Sequence, residues 1–135
     1  LMDEAAIASE RAAEIYGMKI LARDISNYPD NYTRFVTISK TDAPPSGNDK
    51  TLIIFSVKHA PGALYDALGV FAKRGINLTK IESRPTRKKP WEYIFYLDFE
   101  GHRNEPKCSD ALRELQDKTL FVKVLGSFPK AVTSE

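Results

Sequence analysis

Between residues 76 and 85 the chain reads Ile76-Asn77-Leu78-Thr79-Lys80-Ile81-Glu82-Ser83-Arg84-Pro85, an apolar strand pattern that ends in charged and polar groups. Ile76 and Leu78 share one face of an extended chain, whereas Ile81 has the opposite parity. Either both faces are covered, or a bulge near Thr79 and Lys80 exchanges them, and bulges re-aim side chains beside binding sites. Glu82, Ser83 and Arg84 are then aimed groups; the plain alternative is a Glu82–Arg84 pair in water at a strand end, which contributes little. A second stretch, His59-Ala60-Pro61-Gly62-Ala63-Leu64, stands where a strand feeds a helix. Free amides of Gly62, Ala63 and Leu64 at a helix start suit a carboxylate. Asn77, at the head of the neighbouring strand, offers an acceptor for an ammonium group. Carboxylate donors and an ammonium acceptor in one place describe a site for an α-amino acid. An ordinary strand-to-helix turn with Asn77 in solvent is the other reading of the same residues.

The elements that must position these groups follow from periodicity. Residues 51–58 read as an apolar strand, and residues 62–74 as a helix with Leu64, Leu68, Phe71 and Ala72 on one stripe, ended by Gly75. The strand 76–84 follows, then a polar loop over 86–90 and a strand over 91–99 with Trp91, Tyr93, Phe95, Leu97 and Phe99 on one face. A turn over 101–106 leads to a helix over 106–118 with Ala111, Leu112 and Leu115 inward, and residues 121–128 form the last strand. The order β-α-β-β-α-β is the split βαβ, ferredoxin-like unit. Right-handed crossovers put both helices on one face of a four-stranded antiparallel sheet. Leu52, Ile54, Ile94 and Tyr96 make the other face apolar too, so a dimer partner or a missing N-terminal part is expected to cover it.

Upstream, residues 2–16 read as an alanine-rich helix closed by Gly17, and residues 18–26 and 32–38 as two strands joined by a turn. That is too little for a domain, and the abrupt start suggests the C-terminal part of something longer. Residues 41–50 have linker composition, with two prolines, one glycine and no bulky apolar residue. The expected division is therefore 1–40, a linker over 41–50, the α+β module over 51–128 and a flexible tail over 129–135.

Composition excludes several classes. A net charge of +2 gives no field that calls for nucleic acid or an anionic membrane. One cysteine, Cys108, permits no intrachain disulfide and no thiol-rich metal site, and His59 and His102 stand far apart in turns, so neither metal nor cofactor is expected. The apolar runs are too short to span a bilayer and no secretory segment is evident, which fits a cytoplasmic setting. A ferredoxin-like RNA binder using the aromatic strand is disfavoured by the charge and by the missing basic-glycine-aromatic pattern.

Gly62-Ala63-Leu64 together with residues 76–85 resemble the two signature stretches of the regulatory ACT domain of prephenate dehydratases. Asn31-Tyr32-Thr33-Arg34-Phe35 is similar to the Asn-x-Thr-Arg-Phe signature that closes the catalytic domain of that family, and Trp91-Glu92-Tyr93 and Gly101-His102 resemble its third ACT strand and following turn. The resemblance implies an enzyme that converts prephenate to phenylpyruvate, carbon dioxide and water in phenylalanine biosynthesis, with L-phenylalanine as feedback effector at the interface of an ACT homodimer. It implies effector contacts by Gly62, Ala63, Leu64, Asn77, Glu82, Ser83, Arg84 and Pro85. It implies catalytic roles for Thr33 as hydrogen-bond or proton donor to the leaving hydroxyl, Arg34 for a carboxylate and Phe35 as packing. Tyr65 departs from the valine that follows Gly-Ala-Leu in a family variant. Regular alternation would send Thr33 and Arg34 to opposite faces, which ranks Thr33 first. A free-standing ACT-type amino-acid sensor is the alternative; a chorismate mutase domain in the parent, or arogenate in place of prephenate, stays open.

Overall fold

In the computed structural model, residues 4–28, 33–86 and 93–131 are described, and seven elements form among them. They are α1 (Glu10–Tyr16), β1 (Asp49–Ser56), α2 (Ala63–Ala72), β2 (Leu78–Pro85), β3 (Tyr93–Glu100), α3 (Pro106–Lys118) and β4 (Phe121–Pro129). The chain divides into two units, Leu1–Thr37 and Ile38–Glu135.

In the first unit the expected helix shrinks to its second half. Ser9 takes the N-cap position, its Oγ accepting the Ala12 amide at 3.2 Å, so the helix starts there. Gly17, at φ 60°, closes the other end, and the Met18 amide reaches back to the Ala13 carbonyl at 2.8 Å. The two expected strands do not form: residues 18–28 and 33–38 carry no strand. Leu21 is 75% and Phe35 88% exposed. Alternation supplies a strand only where a ladder and a covered face exist, and two strands alone are marginal in water. Residues 29–32, with part of the expected turn and Tyr32, lie outside the described residues.

In the second unit the strand order is β2-β3-β1-β4, with every neighbouring pair antiparallel. This is the α+β ferredoxin-like ACT architecture read from the sequence. Ile53 and Phe55 of β1 and Leu97 and Phe99 of β3 are fully buried against Ala67, Val70 and Phe71 of α2 and Cys108, Ala111 and Leu115 of α3, so both helices cover one face. Phe71 tilts against Phe99 with ring centroids 5.2 Å apart, and Phe55 stacks on Phe95 at 5.3 Å. The α2 stripe is rotated from expectation. Ala67, Val70 and Phe71 face the core, Leu64 and Leu68 pack at its margin, and Ala72 is exposed. On the uncovered face Leu52, Ile54, Ile94 and Tyr96 are half-buried.

Of the two arrangements that parity left open, the bulge is the one that forms. Leu78 pairs with Phe99 and Lys80 with Asp98, so Thr79 is an extra residue in β2. Beyond it Ile81 pairs with Leu97, and Leu78 and Ile81 thus share the helix-covered side despite their opposite parity. The expected linker 41–50 is largely seated on this unit. Residues 49 and 50 begin β1, Asp42 pairs with Arg103 at 3.0 Å, and the His102 ring meets the Ala43 carbonyl at 3.1 Å. Pro129 and Lys130, expected in the tail, are held: Pro129 ends β4 and the Lys130 amide donates to the Asn48 carbonyl at 2.8 Å. The strand expected over 91–99 starts at Tyr93 among the described residues; Trp91, Glu92 and residues 87–90 lie outside them.

Candidate functional site

The turn between β1 and α2 is built by its small residues. The Ala60 amide donates to the Lys58 carbonyl at 2.8 Å, and Gly62 sits at φ 81°, where a side chain would be strained. The Gly62 carbonyl then accepts the Asp66 amide at 2.9 Å as the first helical bond. Of the three amides expected to face a carboxylate, that of Ala63 is already engaged, by the Ala60 carbonyl at 3.2 Å. The Gly62 and Leu64 amides are the ones left to the helix N-terminus in this reading. Tyr65, in the first turn, is 79% exposed, so its ring is carried outward from the core. Beside this turn a cavity of about 280 Å³ is lined by Ala60, Pro61, Ala63 and Asp66 with Lys58 and residues 117–119.

The end of β2 divides its residues between the two faces. Ser83 and Pro85 pair with Phe95 and Tyr93, on the helix side, whereas Glu82 and Arg84 pair with Tyr96 and Ile94, on the other. Glu82 accepts from Arg84 at 2.7 Å and from Lys80 at 3.0 Å. The hydrogen bonds from Lys80 and Arg84 hold its carboxyl below the usual range. The strand-end ion pair is therefore present, widened by Lys80.

Asn77 lies at the opposite end of the sheet. It precedes Leu78, which is level with Phe99 and Thr51, whereas Ser83 is level with Phe95 and Phe55, toward the turn that leads to Gly62. Four strand residues separate those rows, or about 13 Å. Within one chain the structure thus brings Gly62, Ala63 and Leu64 to the same end as Glu82, Ser83, Arg84 and Pro85, and sets Asn77 apart. That corrects the single-chain site in which Asn77 and the helix N-terminus share one ligand. The Asn77 Nδ2 donates to Glu100 at 3.2 Å, which leaves its carbonyl oxygen as the outward acceptor. Glu100 also accepts from Lys130 Nζ at 2.6 Å, and the bonds from Lys130 and Asn77 keep its carboxyl below the usual range. Asn77, Glu100 and Lys130 line a cavity of about 220 Å³ together with Gly47, Asn48 and Asp49. Glu100 and Lys130 escaped sequence reasoning because each is one surface charge among many. Only the ladder that sets Glu100 beside Asn77 distinguishes them, through the Glu100 amide and the Asn77 carbonyl at 2.9 Å.

Thr33, Arg34 and Phe35 lie in the first unit, outside regular structure, so strand alternation does not sort them. Phe35, expected to pack a strand, is exposed. No group of three or more His, Cys, Asp or Glu that could hold a metal ion occurs among the described residues. His102 is buried and structural: Nδ1 accepts the Asn104 amide at 3.1 Å, which leaves Nε2 to donate to Ala43. Cys108 is fully buried, and desolvation, with Glu105 nearby, pushes its thiol up to about 11, so it is an inert core group. No helix among the described residues is long and apolar enough to cross a membrane.

Two family models match the chain, the ACT domain over residues 51–117 and prephenate dehydratase over residues 2–43. A bifunctional chorismate mutase/prephenate dehydratase from Aquifex aeolicus is 58% identical over 130 residues, covering 96% of this chain and 36% of that protein. The chain thus spans about a third of the length of the curated relatives it matches. Among solved structures, a prephenate dehydratase from Arthrobacter aurescens in complex with L-Phe superposes with a TM-score of 0.63 at 35% identity, over 68% of this chain and 30% of that one. A protein described as a novel type of quorum-quenching acylase superposes with a TM-score of 0.65 at 35% identity, over 70% of this chain and 48% of that one.

Proposed function

Residues 2–43 belong to the prephenate dehydratase family and residues 51–117 form an ACT domain, and from that premise we propose that the chain is the regulatory portion of an enzyme converting prephenate to phenylpyruvate, carbon dioxide and water. L-phenylalanine is its feedback effector. The observation that carries this reading is the junction itself: a dehydratase stretch and an ACT module follow one another in one chain, and the similarity to the Aquifex relative runs over 96% of this chain, through both. A free-standing sensor would have no use for residues 2–43. The L-Phe complex of the Arthrobacter structure supports phenylalanine as the ligand. A cytoplasmic setting accompanies this proposal.

The effector site is proposed to lie between two copies of the chain. One amino acid carries its carboxylate and ammonium on a single carbon atom, so it cannot reach both Gly62 and Asn77 of one chain. Packed side by side about a two-fold axis, two modules bring the α2 N-terminus of one toward the Asn77 end of the other. The Gly62 and Leu64 amides then receive the carboxylate, the Asn77 carbonyl receives the ammonium, and residues 82–85 border the ring. In the dehydratase part, Thr33 donates a hydrogen bond or proton to the departing hydroxyl as the carboxylate leaves and the ring aromatises. Arg34 pairs with a substrate carboxylate, and Phe35 packs beside them once the rest of the catalytic domain is present.

Calorimetric titration of the chain with L-phenylalanine, with L-tyrosine and L-alanine as controls, tests the regulatory half. Saturable binding that prefers phenylalanine, at one ligand per chain, and that weakens at least about tenfold in Asn77→Ala, is expected for a lost charge-assisted contact. A folded, dimeric chain that takes up none of the three would remove phenylalanine as the effector.

A further inference from the structure

We infer that residues 42–48 are a seated strap whose docking is linked in free energy to occupation of the cavity at Asn77, and that Glu100 and Lys130 are the positioning residues that make the link. This inference rests on the effector reading above only for the identity of the ligand. The composition of this segment describes a free tether, yet the side chains of Asp49, His102 and Arg103 hold it. Asp42 pairs with Arg103 at 3.0 Å and accepts the Ser127 amide at 3.4 Å. His102, 1% exposed, holds the Ala43 carbonyl. Asp49, 3% exposed, gathers the Ser46 hydroxyl at 2.6 Å and the amides of Ser46 and Gly47 at 2.8 and 3.1 Å. His102 and Asp49 are buried polar groups, costly unless satisfied, so the strap has one low-energy seat and not a continuum of positions.

The seated strap is also a wall of the cavity. Gly47 and Asn48 line it with Asn77, so a ligand lodged against the Asn77 carbonyl meets the strap directly. A hydrogen-bonded chain runs the same way. Asn77 Nδ2 donates to Glu100 at 3.2 Å, Lys130 Nζ donates to the other Glu100 oxygen at 2.6 Å, and the Lys130 amide donates to the Asn48 carbonyl at 2.8 Å. An unseated strap removes one wall and frees Lys130, and with it the Glu100 carboxylate that orients Asn77. Ligand and strap therefore favour each other, and by reciprocity each strengthens the other by the same factor. Chain continuity does the rest, because residue 42 leads directly back to the dehydratase stretch.

Hydrogen exchange at the Ser46 and Gly47 amides, measured by NMR on residues 1–135, tests the link. Saturating L-phenylalanine should slow exchange at both by about tenfold, and Asp42→Ala, which touches no cavity residue, should raise the phenylalanine Kd by a similar factor. Phenylalanine binding that leaves both amides unchanged, or Asp42→Ala binding as the parent does, overturns the inference. If phenylalanine does not bind at all, the effector assignment fails and the ligand-free chain still decides the strap. Glu100→Ala should then speed exchange at Ser46 and Gly47 while the Ile53 amide stays protected; unchanged exchange there overturns the link on its own.

Discussion

Single residues set the end of the module at which the strap enters, and two of them make measurable commitments. Gly101 stands at φ 112°, and a Cβ there would lie 2.6 Å from the Cys108 sulfur. Both the backbone strain and the overlap oppose any side chain, so Gly101→Ala should cost about 2–4 kcal/mol in urea unfolding. Cys108→Ala in the same chain should recover the part due to overlap and leave the part due to φ. Asp49 is the second. Burial pushes its carboxyl upward, but the hydroxyl and amide of Ser46 and the amide of Gly47, helped by His102, outweigh that and hold it below its ordinary value of 3.8. A carboxyl lowered on folding adds stability above the unfolded value, and that stability is lost as pH falls through the folded one. Asp49→Asn should therefore destabilise the chain by about 1–3 kcal/mol at neutral pH, with the gap to the parent closing below pH 3.8. A gap that persists undiminished at pH 2 would show that the carboxylate charge contributes nothing.

Among the elements, β2 is the one whose irregularity has a purpose. Were β2 regular, with Thr79 paired in the ladder instead of bulged, Ile81 would point away from the helices and Glu82 and Arg84 toward them, bringing charge against Phe95. Thr79 absorbs the parity change, and the charges reach the open face. Deleting Thr79 keeps Leu78 and Ile81 on the covered side, so the module should still fold, with a melting temperature lowered by only a few degrees. The local twist that a bulge adds would be lost, however, and with it the aim of residues 82–85. Phenylalanine binding in the deletion variant should fall at least about tenfold by calorimetry. Unaltered affinity would show that the bulge serves packing alone. The helices obey a simpler rule. Pro106 at the first turn and the Ala111 and Leu115 stripe set α3 from 106 to 118, the bounds read from the sequence. On α2, Glu114 of α3 draws in both Lys73 and Arg74, the latter at 2.7 Å, so the helix ends are tied by charge as well as by packing.

At the scale of the whole molecule, the ACT unit has a covered core and the first unit does not. Ile7, Leu21, Phe35 and Val36 stand exposed there, along residues that match the dehydratase family. Apolar groups at this density call for further structure to bury them. On the proposed function, residues 1–135 by themselves should form no detectable phenylpyruvate from prephenate, whereas a dehydratase that joins them to a catalytic domain should, and Thr33→Ala in that enzyme should lower turnover by about 10²-fold or more. Turnover by residues 1–135 alone, or an unaffected Thr33→Ala enzyme, would contradict these assignments. The likeness to both a prephenate dehydratase and a protein described as an acylase fits the same principle, since a shared framework leaves the reaction to its site residues.

Beyond the motifs that resemble a family, the sequence by itself determined the order of the elements after residue 50, the two-helix cover over one sheet face and the change of parity along β2. Those features follow from period, parity and turn chemistry, which are local. Tertiary structure alone decided three other matters. It dissolved the strands expected over 18–26 and 32–38, because alternation cannot supply a missing partner ladder. It separated Asn77 from Gly62, because α2 runs back along the sheet between the parallel strands β1 and β2 and leaves the two residues at its opposite ends. It turned a segment with linker composition into a strap, because Asp42 and Ala43 meet Arg103 and His102 only after the chain has folded back across the sheet. Each of these depends on contacts between residues distant in sequence or on contacts that are absent, and no local pattern encodes either.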